Sequence, residues 1–309
     1  MAYTQKSSLD IDQVAFQQLA YFAFRAQPLH SDYATVRATK QSHRGSGVTF
    51  TKYGDLDQAT SALTETSDVT PVAMTDTQVT VNLAEYGNAV ETTAALRGQA
   101  YLNVDEDAAN VIGYNAADSL DKVVADIAYA GSNVAYIGQS SRGALTASNK
   151  ITSSAIREGV ANLRSDGAPT WGANYVGFIH PDVAYDLIEG TATTDLRSFQ
   201  IRSDADNVRK GEIGTFDGVT FIQTPRALLV ADGGNSAVDA YGTLIMGQEG
   251  LAHAYSTMYG PEPQVVFGPV TDRLRRFQSV GWYAMCGYGR FREEALYRIE
   301  SASSIGANS

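Results

Sequence analysis

The spacing of hydrophobic residues changes several times along this chain of 309 residues, and each change marks a different element. Within residues 10–26 the apolar side chains recur every three or four positions, which predicts a helix that Pro28 ends. The remainder of the first 46 residues shows no sustained period. We therefore expect an extended N-terminal arm that contains one helix.

Two strand-like stretches follow the arm, at residues 47–53 and 77–86. In the second, Val79, Val81 and Leu83 alternate with polar or small residues, as expected of a strand with one buried face. The connection between the two stretches is rich in Thr, Ser, Asp and Ala. A two-stranded ribbon is marginal in water unless it packs on something, so this one predicts an arm that reaches toward a neighbouring molecule.

A helical spacing then runs from residue 103 to residue 130, where Gly131 is suited to end it. At 1.5 Å per residue such a helix is about 40 Å long, against roughly 50 Å for a sphere of this chain length. We expect one helix to cross nearly the whole subunit, and the subunit to be flat or elongated. A kink or a break in this helix would fall at Gly113.

The second half of the chain mixes helices and strands. Ile156, Val160 and Leu163 predict one buried face of a helix. Asp217 with Gly218 predicts a two-residue hairpin turn, because both positions of that turn need positive φ. Further strand-like runs follow towards the C-terminus. This order favours an α+β fold over a doubly wound one, in which helices and strands alternate regularly.

Composition and charge narrow the class of protein. Hydrophobic residues make up 44% of the chain, enough for a substantial core. The net charge of −11 is uneven, with +2 over residues 1–50, −10 over 51–130 and −3 over 131–309. A chain with this balance repels a polyanion, so we expect any nucleic acid nearby to be enclosed rather than specifically bound.

Neither a membrane segment nor a cysteine framework is predicted. The sequence has no run of about 18 apolar residues and no basic leader followed by an apolar stretch, so we expect a soluble protein made in a cytoplasm. Cys286 is the only cysteine, which excludes an internal disulfide and cysteine-based zinc sites. We expect packing alone to hold the fold.

The stretch YVGFIHPDVAYDLIEG, residues 175–190, places His180 at the end of an apolar run, as at the edge of many active sites. Pro181 suits the first position of a helix, and Asp182 in the first turn suits the helix dipole. Metal binding would need partners, yet the other three histidines fall in apparent loops without a paired spacing. We interpret His180 as a structural corner residue.

The remaining candidates for chemistry also favour structural roles. Gly138 and Gly143 have the separation of a phosphate loop, but Ala144 stands where the phosphate-binding lysine belongs. Arg142 stands where a nucleophile elbow needs its second glycine. Cys286 has no linked histidine and is interpreted as a small buried hydrophobe. We therefore predict no catalytic, cofactor-binding or metal-binding residue.

Four motifs follow one another in the second half of the chain: FIHPDVAYDL (178–187), GEIGTFDGVTFIQTP (211–225), TLIMGQEGLAHAY (243–255) and VGWYAMCGYGRFREEALYRIESAS (280–303). In this order they resemble the major capsid proteins of tailed bacteriophages, the HK97-fold family. The resemblance implies an α+β fold of HK97 type with an N-terminal arm, an E-loop β-hairpin, a long spine helix, a P-domain and an A-domain.

The predicted elements fall in the order that the resemblance implies. The expected divisions are the N-terminal arm (1–46), the E-loop (47–92), a P-domain part with the spine helix (93–144), the A-domain (145–260), and the P-domain return strand with the C-terminus (261–309).

The resemblance implies a structural protein of the virion capsid and not an enzyme. Its subunits would self-assemble into pentamers and hexamers of an icosahedral head that encloses double-stranded DNA, and assembly would take place in the cytoplasm of a host bacterium. The E-loop would lie over a neighbouring subunit. The expected inter-subunit residues of the E-loop are Phe50, Lys52, Tyr53, Val79, Val81 and Leu83.

Departures from the family pattern bear on a scaffold and on crosslinking, and two alternatives to a phage capsid stay open. Some relatives carry an N-terminal scaffold segment, whereas this chain reaches its E-loop within fifty residues. We therefore expect a separate scaffolding protein, with a portal and decoration proteins as additional partners. No matched motif around Lys52 supports a covalent crosslink to a neighbour. The alternatives are an encapsulin-like compartment shell subunit and a soluble enzyme whose carboxylates the fold brings together.

Overall fold

The computed structural model describes residues 30–38, 46–63, 65–66, 68–100, 104–189, 214–267, 274 and 276–305, and the helix predicted at 10–26 lies outside them. The helices are α1 (Ala94–Gln99), α2 (Val104–Tyr129), α3 (Ser153–Ser165) and α4 (Pro181–Glu189). The strands are β1 (Thr35–Ala38), β2 (Gly47–Tyr53), β3 (Asp76–Asn82), β4 (Ala84–Thr93), β5 (Val134–Tyr136), β6 (Tyr175–Ile179), β7 (Thr215–Phe216), β8 (Val219–Gln223), β9 (Leu229–Val230), β10 (Ala240–Met246), β11 (Leu251–Tyr255), β12 (Gln264–Phe267), β13 (Phe277–Arg290) and β14 (Leu296–Ser301).

A five-stranded sheet is organised around β13. The 14 residues of β13 pair antiparallel with β4, β11 and β12, and β1 joins the sheet by pairing parallel with β11. Trp282, Ala284 and Cys286 alternate along β13 and are buried on one face, as the period of two requires. The long C-terminal strand predicted from the sequence is therefore the strand on which this sheet depends.

A seven-stranded sheet runs in the order β5-β14-β10-β6-β8-β7, with β9 paired to β10. Helices α3 and α4 contribute to the core on this sheet. Ile156, Val160 and Leu163 of α3 are buried there, as their helical spacing predicts. All seven residues of β10 are buried, which is expected of a central strand covered on both faces.

Helix α2 crosses from one sheet to the other. Its 26 residues correspond to a length of about 39 Å and agree with the predicted helix at 103–130. Gly113 causes no break in it. One part of its apolar face packs on β13, and the part nearer its C-terminus packs on the seven-stranded sheet. The first part comprises Ile112, Ala116 and Leu120, and the second Val124, Ala125 and Ala128.

The expected domain boundaries at residues 145 and 261 do not coincide with the division of the strands between the two sheets. β11 precedes residue 261 but lies in the five-stranded sheet, whereas β14 follows it and lies in the seven-stranded sheet. The chain therefore crosses between the sheets at 247–250 and again at 291–295. The division into named domains stays a prediction.

Two hairpins appear where the sequence predicts them. β7 and β8 are joined by Asp217 and Gly218, whose φ angles of 49° and 81° are both positive. β2 and β3 pair in register from Gly47 opposite Asn82 to Tyr53 opposite Asp76. The strand predicted at 77–86 is interrupted at Leu83, and beyond that residue β4 pairs with β13 instead.

Replacing either of two helical glycines with alanine should change the unfolding free energy, in opposite directions at the two positions. Gly113 in α2 has open space around its missing β-carbon, whereas a β-carbon on Gly159 in α3 would lie 2.9 Å from the Tyr297 ring. We expect Gly113→Ala to stabilise the unassembled subunit by about 0.5–1 kcal/mol through its helix propensity. Gly159→Ala should destabilise it by about 1–3 kcal/mol through overpacking. Urea denaturation measures both, and equal effects of the two changes would contradict this packing.

Candidate inter-subunit surface

The base of the β2–β3 hairpin is fixed to its own subunit. Phe50 and Val81 are only 1% and 3% exposed, and they form a small core with Ala252 and Ala254 of β11. The Phe50 ring lies 5.6 Å from the ring of Phe291 between centroids. Leu83 is partly buried against the same cluster. These three predicted inter-subunit residues therefore make their apolar contacts within the chain.

Lys52, Val79 and Tyr53 lie closer to solvent. The Lys52 ammonium is 3.5 Å from a carboxylate oxygen of Glu294. A hydrogen bond from the Glu294 backbone N–H and the charge of Lys52 together hold the pKa of the Glu294 carboxyl below its ordinary value. An exposed pair of this kind contributes at most about 1 kcal/mol. Tyr53 is 66% exposed, so it is the one of the six predicted residues that points furthest into solvent.

A cavity of about 770 Å³ lies between the hairpin base, the end of α2 and residues 288–294. Lys52 and Val79 line it on the hairpin side, and Arg290 and Glu293 line it on the other. Arg290 and Glu293 form an ion pair of 2.9 Å, so opposite charges already neutralise each other along this wall. The hairpin therefore rests on the subunit at its base and stands away from it further out.

The distal segment, residues 54–75, extends beyond the last pair of β2 and β3. Its ends are joined by a hydrogen bond of 2.9 Å from the Gly54 N–H to the Thr75 carbonyl. Every described residue of the distal segment is exposed. Five large apolar side chains of the segment are between 55% and 76% exposed, namely Leu56, Leu63, Val69, Val72 and Met74.

The distal segment is also acidic. It contains Asp55, Asp57, Glu65 and Asp68 and no lysine or arginine. Several exposed large apolar side chains within one short segment are a feature of surfaces that bind a partner. Charge of a single sign on the segment favours a partner surface that is not of the same sign. The segment has the properties of a contact surface for a partner that is apolar and not acidic.

His180 caps a helix, as the sequence analysis predicts for a corner residue. It precedes Pro181, the first residue of α4, and its Nδ1 accepts a hydrogen bond of 3.3 Å from the Asp182 N–H. Burial lowers the pKa of His180, against the opposing charge of Asp182, which favours the neutral ring that can accept this bond. The Tyr241 hydroxyl donates to the Asp182 carboxylate at 3.0 Å.

A buried carboxylate anchors the glycine-containing loop that superficially resembles a phosphate loop. Glu300 on β14 is fully buried and receives two hydrogen bonds of 2.6 Å from the Arg142 guanidinium. Arg298 Nε lies 2.9 Å from the same carboxylate. Hydrogen bonding to Glu300 raises the pKa of Arg142. Arg142 is thus a structural partner of Glu300, a pairing that its sequence context does not reveal.

The burial of two histidines was not predicted, because both look like loop residues in the sequence. His253 lies in β11, so the prediction that it occupies a loop was wrong, and its ring stacks on Tyr288 with centroids 4.5 Å apart. His30 is 1% exposed and pairs with Asp121 of α2. Both are buried by strands and helices distant in sequence, which no local pattern shows.

The other side chains with potential for chemistry do not converge. Cys286 is buried within the apolar cluster on β13, and burial raises the pKa of its thiol, so the reactive thiolate is disfavoured. Within the described part of the chain, no group of three His, Cys, Asp or Glu residues could hold a metal ion. None of the helices in that part is long and apolar enough to cross a membrane.

Several solved phage capsid structures are similar to this chain over nearly its full length. The capsid of Ralstonia phage GP4 matches with a TM-score of 0.75 and 13% identity, covering 97% of this chain and 98% of its own. The capsid of cyanophage P-SCSP1u matches with a TM-score of 0.74 and 18% identity, covering 96% and 94%. The head of Helicobacter pylori bacteriophage KHP40 matches with a TM-score of 0.73 and 12% identity, covering 97% and 99%. Curated protein sequences gave no match.

The chain has a spine helix that packs across two sheets and a hairpin that projects from them. Together with these matches, this architecture defines a capsid subunit of the HK97-type α+β fold, as predicted. A family model described as phage capsid protein matches residues 5–305, and the chain therefore belongs to this family. It is a structural protein of the virion capsid. The encapsulin-like compartment is not favoured, because both the family and the matching structures are phage capsids.

His253 should make the subunit sensitive to acid. Burial lowers its pKa from 6.5 to about 4, so the folded state favours the neutral ring. Its stabilising effect is complete above pH 6.5 and is lost as pH falls towards 4, by about 3 kcal/mol in total. The stacked Tyr288 ring is uncharged throughout this window, which lies far below the ordinary tyrosine pKa of 10.0, and burial raises the pKa of Tyr288 further.

Replacing His253 with phenylalanine tests this assignment. We expect His253→Phe to keep the stack on Tyr288 and to flatten the loss of unfolding free energy between pH 6.5 and 4, measured by urea denaturation of the unassembled subunit. The control is His180→Gln, which changes the less buried helix-capping histidine and should keep most of the slope. An unchanged slope in His253→Phe would show that another group is responsible.

Proposed function

We propose that this chain self-assembles into pentamers and hexamers that form the icosahedral head enclosing phage double-stranded DNA. The observation that carries the proposal is the distal segment, which exposes five large apolar side chains that the described part of its own subunit leaves uncovered. The matched structures are capsids and phage heads, in keeping with self-association. Assembly would take place in the cytoplasm of a host bacterium.

The physical basis of assembly is burial that only a neighbour can supply. Each large apolar side chain contributes about 1.5–3 kcal/mol when it becomes fully buried, before the cost of ordering the segment. Contact of the distal segment with a different surface of the next subunit is heterologous, and a heterologous contact closes into a ring when its rotation allows. Tyr53, Lys52 and Val79 lie nearer to solvent, so the predicted inter-subunit role fits them well. Phe50, Val81 and Leu83 pack within their own chain, so the same role fits them less well.

Charge supports enclosure of DNA without specific binding. The net charge of −11 disfavours tight contact with a polyanion. The energy that confines the DNA would then come from outside the subunit. We propose that the DNA enters the head through a portal. A separate scaffolding protein and decoration proteins are further proposed partners, as the resemblance to tailed-phage major capsid proteins implies.

Removing the distal segment should separate folding from assembly. Because the Gly54 N–H and the Thr75 carbonyl are hydrogen-bonded, residues 55–74 can be replaced by an Asn-Gly turn that closes the hairpin. We expect this variant to keep the unfolding free energy of the subunit within about 1 kcal/mol, since every described side chain removed is exposed. Particle yield, measured by sedimentation and negative-stain microscopy with any required scaffold, should fall at least tenfold.

Point substitutions separate the apolar contact from the length of the segment. The double variant Leu63→Ser with Val72→Ser should reduce particle yield, whereas the matched control Ser61→Ala with Thr70→Ala, at exposed polar positions, should not. If the shortened hairpin and the serine variant both assemble like the wild type, the distal segment is not the assembly contact.

Ionic strength should affect early assembly. Residues 1–50 carry a net charge of +2 and residues 51–130 a net charge of −10, and we propose that the arm of one subunit meets the acidic segment of another. The initial rate of particle formation, followed by light scattering, should fall as salt rises from about 50 to about 500 mM. An unchanged rate and yield over this whole range of salt would argue against this electrostatic contact.

A further inference from the structure

The first residues of the described chain are bound to α2 by a buried pair of ionisable side chains. His30 and Asp121 are each 1% exposed, and the His30 Nδ1 lies 3.1 Å from a carboxylate oxygen of Asp121. The other oxygen accepts hydrogen bonds from the backbone N–H groups of His30 at 2.7 Å and Ser31 at 3.4 Å. Burial alone would raise the pKa of Asp121, but the bonds and charge of His30 hold it below its ordinary value.

The same segment packs on the seven-stranded sheet through aromatic rings. The His30 ring stacks on Phe178 of β6 with centroids 4.4 Å apart. Tyr33 meets Phe178 and Trp171 edge to face, at 5.6 Å in each case. Ala34, which is 7% exposed, belongs to the core cluster that α2 shares with this sheet. Residues 30–34 are therefore wedged between α2 and the seven-stranded sheet.

The chain then passes directly into the other sheet. β1 follows Ala34 and pairs parallel with β11, with Val36 opposite His253. We name residues 30–38 the arm root. Within nine residues the arm root contacts α2, the seven-stranded sheet and the five-stranded sheet, so it bridges the two sheets at the place where the chain itself crosses between them.

Those crossings are short and are held to each other by hydrogen bonds and by an ion pair of 3.8 Å between Arg292 and Glu249. At the first, the Gly247 N–H donates to the Ala295 carbonyl and the Gln248 N–H to the Pro169 carbonyl, both at 2.8 Å. At the second, the Phe291 N–H donates to the Gly250 carbonyl at 2.9 Å. All three amides bond to residues outside the arm root. Two of the three bonds join one crossing to the other, so exchange at these amides reports opening of the crossings.

Asp121 has a second partner available when His30 leaves. Arg226 Nη1 lies 3.7 Å from the Asp121 carboxylate, and Arg226 Nη2 is paired with Asp118 at 2.6 Å. A cavity of about 220 Å³ lined by Asp121 and Arg226 gives the guanidinium room to move. Departure of His30 would therefore leave Asp121 paired with Arg226 and not as an isolated buried charge, which would be strongly unfavourable.

We propose that the arm root is a releasable latch that couples the N-terminal arm to the relative orientation of the two sheets. With the arm root seated, His30 and the aromatic wedge hold the sheets together. With it withdrawn, Asp121 pairs with Arg226, and the sheets turn relative to each other at residues 247–250 and 291–295 while α2 still packs on both. A force or contact acting on the arm thereby changes the shape of the subunit. The latch is a property of the single chain and does not depend on the proposed assembly.

Hydrogen exchange of the full-length protein at neutral pH tests the latch. Asp121→Asn keeps the shape of the side chain and removes its charge, and we expect exchange at β1 and β11 to rise by about tenfold or more. The amides of Gly247, Gln248 and Phe291 should rise with them, although the substitution touches none of them. Asp126→Asn is the matched control, because it changes an exposed aspartate on the same helix and should leave all of these amides unchanged.

A second variant and a wild-type measurement decide the case if Asp121→Asn does not fold. Tyr33→Leu removes part of the aromatic wedge without disturbing a buried charge and should give the same pattern. In the wild type, hydrogen exchange is measured at a series of urea concentrations too low to unfold the protein. The free energy of opening should then depend on urea in the same way for the amides of the arm root and of both crossings. The latch would be overturned if the exchange rate rose only at β1 and β11, or if the arm root and the crossings opened with different urea dependences. Either result would show that the arm root is only a local anchor.

Discussion

The fold depends on the packing of one helix face across two sheets that otherwise share few contacts. Ile112, Ala116 and Leu120 of α2 cover the buried face of β13, and the next two turns of the same stripe enter the core of the seven-stranded sheet. The Trp282 indole N–H donates to Asn115 at 2.9 Å, which fixes the helix along its own axis as well as against the sheet. Because the helix is continuous through Gly113, both sheets take their position from one uninterrupted element.

Buried charge occurs where distant segments must be joined. Glu300 ties residues 142–144 to β14, and Asp121 ties the arm root to α2. Each of these buried carboxylates also has a second cation nearby, Arg298 for Glu300 and Arg226 for Asp121, whereas the exposed Lys52–Glu294 pair contributes little. The polar contacts that matter most for the shape of this subunit are therefore inside it, and its outer surface is left free for association.

Local patterns in the sequence predicted the elements whose causes are local. The period of α2, the turn at Asp217 and Gly218 and the helix corner at His180 all depend on residues within a few positions of one another. The pairing of His30 with Asp121 spans 91 residues and that of Arg142 with Glu300 spans 158, so no spacing rule could indicate them. The hairpin was predicted as a ribbon, but its dependence on Phe291 and β11 follows only from the tertiary fold. The motif order carried the family resemblance, while the sheets exchange strands across the boundaries that the resemblance implied.

The hydrogen bond between Gly54 and Thr75 has an evolutionary consequence. It closes the hairpin below the distal segment, so the core of the subunit is insulated from whatever sequence lies beyond it. Folding hardly constrains substitutions and length changes there, and in the proposed assembly role the fit to a partner is what constrains them. Drift should therefore accumulate in this segment faster than in the hairpin base, and it should be matched by drift in the surface that receives it.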